Sequence, residues 1–252
     1  MTAITARRAI GLAACSVLAA GLLGAPTALA AASPPACDQT LPTRLTHLGD
    51  STQVVVATAA GWGSTAGTVQ VFEKRSGTPG TGWCLVLGPY RSRYGWAGLV
   101  PGTKRRKDTG TTPAGTYALP KAFGLDPNPG TALPYIHSDG NDYWALDPKY
   151  PWTFNTYRFN GVHGFRASQA EHIAHFSVQY RYAAVIGFNL PSPGHRANRV
   201  RGGAIFLHVN GSGATAGCVS VYQSAMVAIL RRLDPARHPM IVISPMSWLA
   251  SA

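Results

Sequence analysis

The chain has 252 residues, 46% of them hydrophobic, and carries 22 basic against 10 acidic side chains for a formal net charge of +12. That length supplies ample core for one large domain or two small ones, and such a charge selects anionic partners through long-range attraction. No phosphate loop, dinucleotide-binding glycine pattern or nucleic-acid module occurs, which argues against nucleotide and nucleic-acid partners, and no cofactor is expected.

At the N-terminus, Arg7 and Arg8 precede an apolar stretch from Ala9 to about Gly24, and "ALA" at 28–30 offers a small-x-small cleavage site. Residues 1–30 therefore read as a secretory signal peptide. The apolar stretch is short for a membrane span, which needs about 20 residues, and no later segment is a candidate. Arg7-Arg8 as a twin-arginine signal, and "LAAC" at 12–15 as a lipobox, are the rival readings of the same stretch. Residues 31–49 follow as a linker or arm, and residues 50–252 as a single domain. Removing the leader takes two basic residues and no acidic one, leaving a formal charge of about +10. An exported protein of that charge, secreted or held at the cell wall, meets anionic wall polymers, membrane surfaces or glycans rather than chromosomal DNA. "KRRK" at 104–107 then reads as a solvated loop or a patch facing the wall.

In chain order, β-branched and aromatic runs separated by glycine-rich turns predict strands at 53–59, 68–74, 83–88, 112–120 and 142–147. Weak helical periodicity covers 166–176. Strands follow at 180–189 and 202–209. A clearer helix spans 221–233, with Val221, Ala225, Ala228, Ile229 and Leu233 on one face, and a last strand covers 240–244. The whole reads as a mainly β, mainly antiparallel domain with one or two helices. Loss of the leader removes Cys15 and leaves three cysteines. Cys37 and Cys84 flank the first predicted strands, and a bridge between them ties down the arm. Cys218 is then the odd thiol, either reactive or a buried inert side chain.

Cys218 lies in "IFLHVNGSGATAGCVSV" at 205–221. Asn210-Gly211 between apolar runs is a hairpin cue, and a hairpin turning at 210–213 brings His208 back beside Cys218. "SVYQ" at 220–223 fits a capping box with Ser220 as N-cap and Gln223 reaching back. That places Cys218 just before a helix N-terminus, where the dipole and a nearby imidazole favour a thiolate. A histidine within reach activates such a nucleophile. Ala216 and Gly217 allow close approach of a carbonyl, and the Gly217 and Cys218 N–H groups are candidates for an oxyanion hole.

This stretch resembles the catalytic signature of the L,D-transpeptidase (YkuD-type) family: a histidine at a strand end, a glycine-containing loop, then Ser/Thr-x-Gly-Cys. "KRRKDTGTTPAGTYALPKAFG" at 104–124 and "YRYAAVIGFN" at 180–189 resemble further parts of the family, so that the likeness spans about 50–245. It implies a β-sandwich-like catalytic domain acting on peptidoglycan stem peptides, both donor and acceptor. Carried over by position, Cys218 attacks the third residue of a donor tetrapeptide, D-alanine leaves, and an amine resolves the thioester into a 3→3 cross-link. His208 matches the base, Gly217 the glycine before the nucleophile, and Thr215 the small hydroxyl residue. Val209 stands where many members have a small or hydroxyl residue whose backbone carbonyl orients the imidazole. The sequence departs from the pattern at Ala216, where many members have histidine, and at Ser220, where many have arginine. The spacing from His208 to Cys218 is also shorter than is common. An L,D-carboxypeptidase using water, or a non-catalytic wall-binding protein, are the alternative readings.

Other residues have weaker claims. His163 in "GVHGFR" is a cleft candidate or a surface histidine. Glu171, His172 and His175 form "EHIAH", which lacks the order of a zinc protease motif, and no metal is expected. Asp139 and Asp142 read as a polar turn. Trp144 and Trp152 are candidates for stacking on sugar rings.

Overall fold

The structure is a computed structural model that describes residue 37, residues 39–76 and residues 81–252. The leader expected over 1–30 lies outside the described residues. Fourteen strands and one α-helix are present among them: β1 (Gln53–Ala59), β2 (Ala66–Lys74), β3 (Trp83–Arg93), β4 (Leu99–Pro101), β5 (Thr112–Ala118), β6 (Ala122–Gly124), β7 (Tyr135–His137), β8 (Tyr143–Ala145), β9 (Thr156–Arg158), β10 (Ala170–His172), β11 (Ala183–Val185), β12 (Phe206–Val209), β13 (Val219–Val221), α1 (Gln223–Arg232) and β14 (Met240–Pro245). Eleven strands form one sheet in the order β4-β5-β14-β1-β2-β3-β13-β12-β11-β6-β7, and β10-β8-β9 form a second. The mainly β expectation holds. The mainly antiparallel one holds for eight of the twelve strand pairings, while β1/β14, β4/β5, β6/β7 and β12/β13 run parallel and make the large sheet mixed.

The large sheet is covered on both faces. Val55 and Ala57 of β1 point into a core shared with Leu207 of β12, Val219 of β13 and Met226 and Ile229 of α1. Val54 and Val56 point the other way, against Phe72, Trp83 and Leu249. Side chains alternate across a strand, so a strand covered on both faces reads as a continuous apolar run; "QVVVATA" is fully buried along its length. At the other end, Trp144 of β8 and Tyr157 of β9 pack on Phe123 of β6 and Phe206 of β12. The small sheet thus lies against the large one, which gives the sandwich-like character.

The helix is shorter than its periodicity suggests. Ala225 and Ile229 are buried as expected, joined by Met226 and Leu230, while Ala228 is half-buried; Val219–Val221 is drawn into pairing with β12 and β3. The N-cap is Tyr222, with no side-chain cap. Ser220 instead donates its hydroxyl to Asn210 Oδ1 at 2.7 Å, so the capping box is overturned by the sheet's demand for one more strand. The helix expected over 166–176 is likewise replaced by β10, which pairs with β8, between two 3₁₀ turns. The buried Glu73 carboxylate ties α1 to the sheet, accepting from Arg232 Nε at 2.6 Å and Gln53 Nε2 at 3.0 Å and pairing with Arg237 at 3.0 Å.

Cys37 and Cys84 form a disulfide. The arm then runs along β3, with the Gln39 N–H on the Trp83 carbonyl at 3.0 Å, and Leu41, Leu45 and Leu48 pack beside Val54 and Trp83. Replacing Cys37 by Ser and Cys84 by Ala together should lower the unfolding free energy by about 2–4 kcal/mol in a urea titration. An unchanged midpoint would show that the arm is held by packing alone.

Candidate active site

The loop between β12 and β13 does not fold back as a hairpin. Leu207 pairs with Val219 and His208 with Ser220 in parallel register. The chain instead leaves Val209, passes Gly211 and Gly213, whose carbonyls both accept from Arg93 Nη1, and docks on the segment after β3. There the Thr215 N–H meets the Tyr94 carbonyl at 2.8 Å and the Trp96 N–H meets the Thr215 carbonyl at 2.9 Å. Competition from this neighbouring backbone defeats the Asn-Gly hairpin signal. The loop nevertheless returns Cys218 to the cleft that His208 also lines.

Thr215 fixes the last turn of that loop. Its hydroxyl donates to the Cys218 carbonyl at 2.7 Å and accepts from the Gly217 N–H at 3.1 Å. The Gly217 N–H is therefore engaged and is not a free oxyanion donor. The Cys218 N–H makes no hydrogen bond among the described residues. Gly217 has φ of +140°, and a Cβ there would lie 2.9 Å from the Thr111 carbonyl oxygen; only glycine fits without strain.

Cys218 Sγ sits 3.4 Å from the Phe206 N–H donor nitrogen and 3.4 Å from the Ala204 carbonyl oxygen. The side chain is 7% exposed. Burial pushes its pKa up to about 12 and the nearby Glu171 adds to the rise, while the Phe206 N–H and Arg105 oppose it. His208 is also buried, with Nδ1 2.7 Å from the Val209 carbonyl oxygen. A carbonyl only accepts, so Nδ1 carries the proton and Nε2 keeps its lone pair. Burial pulls this imidazole down to about 4, against the Val209 carbonyl. The resting pair is thus neutral thiol and neutral imidazole. The expected thiolate is corrected on two grounds: desolvation disfavours both charges, and β13 stands between Cys218 and the start of α1.

His208, Cys218, Thr215 and Ala216 all line one cleft of about 600 Å³. Among the described residues no hydrogen bond links Sγ to the imidazole. Four charged residues that the sequence did not point to share the cleft, Arg105, Lys107, Asp108 and Glu171. Arg105, expected in a solvated loop, is 5% exposed. Its Nε donates to the Thr111 carbonyl at 3.0 Å, Nη1 to the Arg201 carbonyl at 2.5 Å, and its plane lies 5.6 Å from the Phe188 ring centre. Glu171 projects from β10 and accepts from the Tyr180 hydroxyl; burial pushes its carboxyl up to about 7, with Tyr180 opposing. Tyr180 packs edge-on against His208 at 5.7 Å between ring centres.

The remaining candidates scatter. His163 is exposed in the loop after β9, outside the cleft, where its carbonyl faces Arg158. His172 stacks on Tyr143 at 4.5 Å, apart from Glu171's place in the cleft. Asp142 accepts from the Tyr157 hydroxyl and the Asp139 N–H, a polar turn. Trp144 is buried and donates to Asn155, so no sugar stacks on it. Trp152 is exposed, but the Arg196 guanidinium covers a face of its ring at 3.4 Å.

A cysteine and a correctly tautomerised histidine in one cleft form the pattern of a cysteine-nucleophile site. The catalytic-domain model of the L,D-transpeptidases (YkuD) matches residues 86–243, well over half of the chain, and the chain belongs to that family. The family consists of cysteine-dependent transpeptidases that cross-link peptidoglycan. Comparisons with curated proteins and with solved structures returned no match.

Thiolate alone reacts with iodoacetamide. With the Cys218 thiol held near 12, alkylation of the free protein should rise without a plateau from about pH 6 to about pH 10; a plateau near neutrality would reveal a preformed thiolate. Glu171 yields a stability prediction. Its folded pKa lies above the ordinary 4.5, so its contribution is full below 4.5 and is lost as pH rises through about 7. Glu171→Gln should therefore unfold at higher urea than the parent at about pH 8, by roughly 1–3 kcal/mol, with the gain vanishing near about pH 5.

Proposed function

We propose that the protein is an exported L,D-transpeptidase that forms 3→3 cross-links between peptidoglycan stem peptides. The observation that carries this reading is the His208–Val209 carbonyl bond, which leaves an unprotonated Nε2 in the cleft that holds the only free cysteine among the described residues. Cys218 Sγ passes its proton to Nε2 as it attacks the carbonyl of the third residue of a donor tetrapeptide. The unpaired Cys218 N–H faces the developing oxyanion. The imidazolium returns its proton to the departing D-alanine amine, leaving a thioester. An acceptor amine then closes the cross-link and frees the thiol.

Ionising a buried thiol is costly, and the site contains the means to offset the cost. Arg105 makes no direct ion pair among the described residues, although Asp108 lies close enough to act on it, and its charge favours the thiolate. Transferring the proton during attack, rather than before it, also avoids a free buried anion. Export is supported by the leader-like residues 1–30, and by a disulfide of the kind that persists in oxidising compartments. Residues 31–49 then serve as the arm and 50–252 as the catalytic domain, with the basic surface holding the enzyme to anionic wall polymers.

The test uses residues 31–252 with a disaccharide-tetrapeptide and product masses. The expected product is a dimer short of one D-alanine, absent with Cys218→Ala. His208→Ala should cut D-alanine release by about 10²–10⁴. Tripeptide without dimer would identify a carboxypeptidase, and sacculus binding without turnover would identify a wall-binding protein.

A further inference from the structure

We propose that Glu171 is the acceptor-side group of the cleft, binding the ammonium of the incoming amine and taking its first proton. The inference rests on the transpeptidase reading above. In this chain 22 basic side chains face 10 acidic ones, yet among the described residues Glu171 has no ion pair. Its single protein partner is the neutral Tyr180 hydroxyl on Oε2. Oε1 has no hydrogen-bond partner and is not among the fully buried unpartnered atoms, and Glu171 lines the cleft that also holds Cys218, His208 and Gln179. Glu171 is also close enough to Cys218 for its charge to oppose the thiolate. A carboxylate there hinders the first half-reaction. A ligand of opposite charge removes the hindrance, and an alkylammonium is the substrate group that supplies it.

The second half-reaction needs such a group. An acceptor arrives as R–NH₃⁺ and is not a nucleophile until it loses a proton. Glu171 takes that proton, and the nitrogen lone pair forms the C–N bond to the thioester carbonyl. The C–S bond breaks with its electron pair going to Sγ. The second ammonium proton passes through His208 Nε2 to sulfur, restoring the thiol. The amide keeps the third hydrogen, and Glu171 releases its proton to solvent. A carboxyl held near 7 is suited to both halves of this exchange. The substrate class is thus an amine charged at neutral pH, as on the side chain of a diamino acid.

The experiment follows the thioester's fate in the full exported protein, comparing the parent with Glu171→Gln and Glu171→Asp. D-alanine release reports formation of the thioester. Dimer against tripeptide reports its partition between amine and water. Hydroxylamine, uncharged at neutral pH, is the probe nucleophile that needs no carboxylate. The expected result is a fall of at least about tenfold in dimer over tripeptide for Glu171→Gln, partial return with Glu171→Asp, and hydroxamate formation still occurring. An unchanged ratio in a variant that still releases D-alanine overturns the role of Glu171 and leaves the proposed function standing. Equal loss of dimer and hydroxamate also overturns it, since a collapsed cleft does not distinguish charged from neutral nucleophiles. A parent that releases no D-alanine, or yields only tripeptide, overturns both.

Discussion

The parallel pairing of β12 with β13 is the constraint on which the site depends. An antiparallel hairpin joins neighbouring strands by a tight turn, whereas a parallel pair forces the connecting chain to travel the length of the strands before re-entering. Here that excursion is only the nine residues 210–218. Such a short crossing has no room for a helix, so its backbone must find partners elsewhere. It finds them in Tyr94 and Trp96, in Arg93 and in its own Thr215. The consequence is a loop fixed at both ends and in the middle. Gly217 absorbs the remaining geometric demand through a backbone conformation that other residues rarely adopt. Cys218 enters β13 already oriented, between the N–H of Phe206 in β12 and the carbonyl of Ala204 just before that strand.

Orientation by burial has an electrostatic consequence. The same packing that holds the thiol and the imidazole removes the water that would stabilise either charge, so both rest neutral. A thiol of this kind is quiet in the free protein, where an exposed thiolate would be open to oxidation. Its reactivity is governed by what else enters the cleft. Arg105 and Glu171 act on Cys218 in opposite senses, so a substrate that engages either one changes the balance. Recognition and activation are then parts of one electrostatic event.

The sequence made some of this legible and hid the rest for identifiable reasons. "QVVVATA" and "MIVIS" were readable as strands because continuous burial leaves a continuous apolar run. Cys218 and His208 were readable because few residue types do nucleophilic work. The three-residue strands β6, β7, β9 and β10 were not readable, since three residues carry no periodicity and their pairing is decided by distant backbone. Asn210-Gly211 misled because a local turn preference of modest size yields to several long-range hydrogen bonds. Arg105 misled for the opposite reason: a basic run normally stays in water. One of its four members is instead drawn inward by the carbonyls of Thr111 and Arg201 and the ring of Phe188. Glu171 was seen only as a failed zinc motif, because nothing in "EHIAH" shows that β10 pairs with β8 and turns the carboxyl toward the cleft.

The two departures from the family pattern become intelligible in this setting. Ser220 stands where many relatives have arginine, and it is fully buried within β13, its register partner being His208. Its hydroxyl reaches Asn210 at 2.7 Å and helps to hold the start of the loop. A guanidinium at that position would have to displace this bond and find acceptors inside the sheet, at the cost of an unpaired buried charge. The cation reaches Cys218 from the 104–107 segment instead, where Arg105 already has carbonyl acceptors and an aromatic face. Ala216, the other departure, lines the cleft mouth with a methyl group in place of an imidazole. His208 is the single imidazole lining the cleft among the described residues, and it shares that cleft with the carboxyls of Glu171 and Asp108.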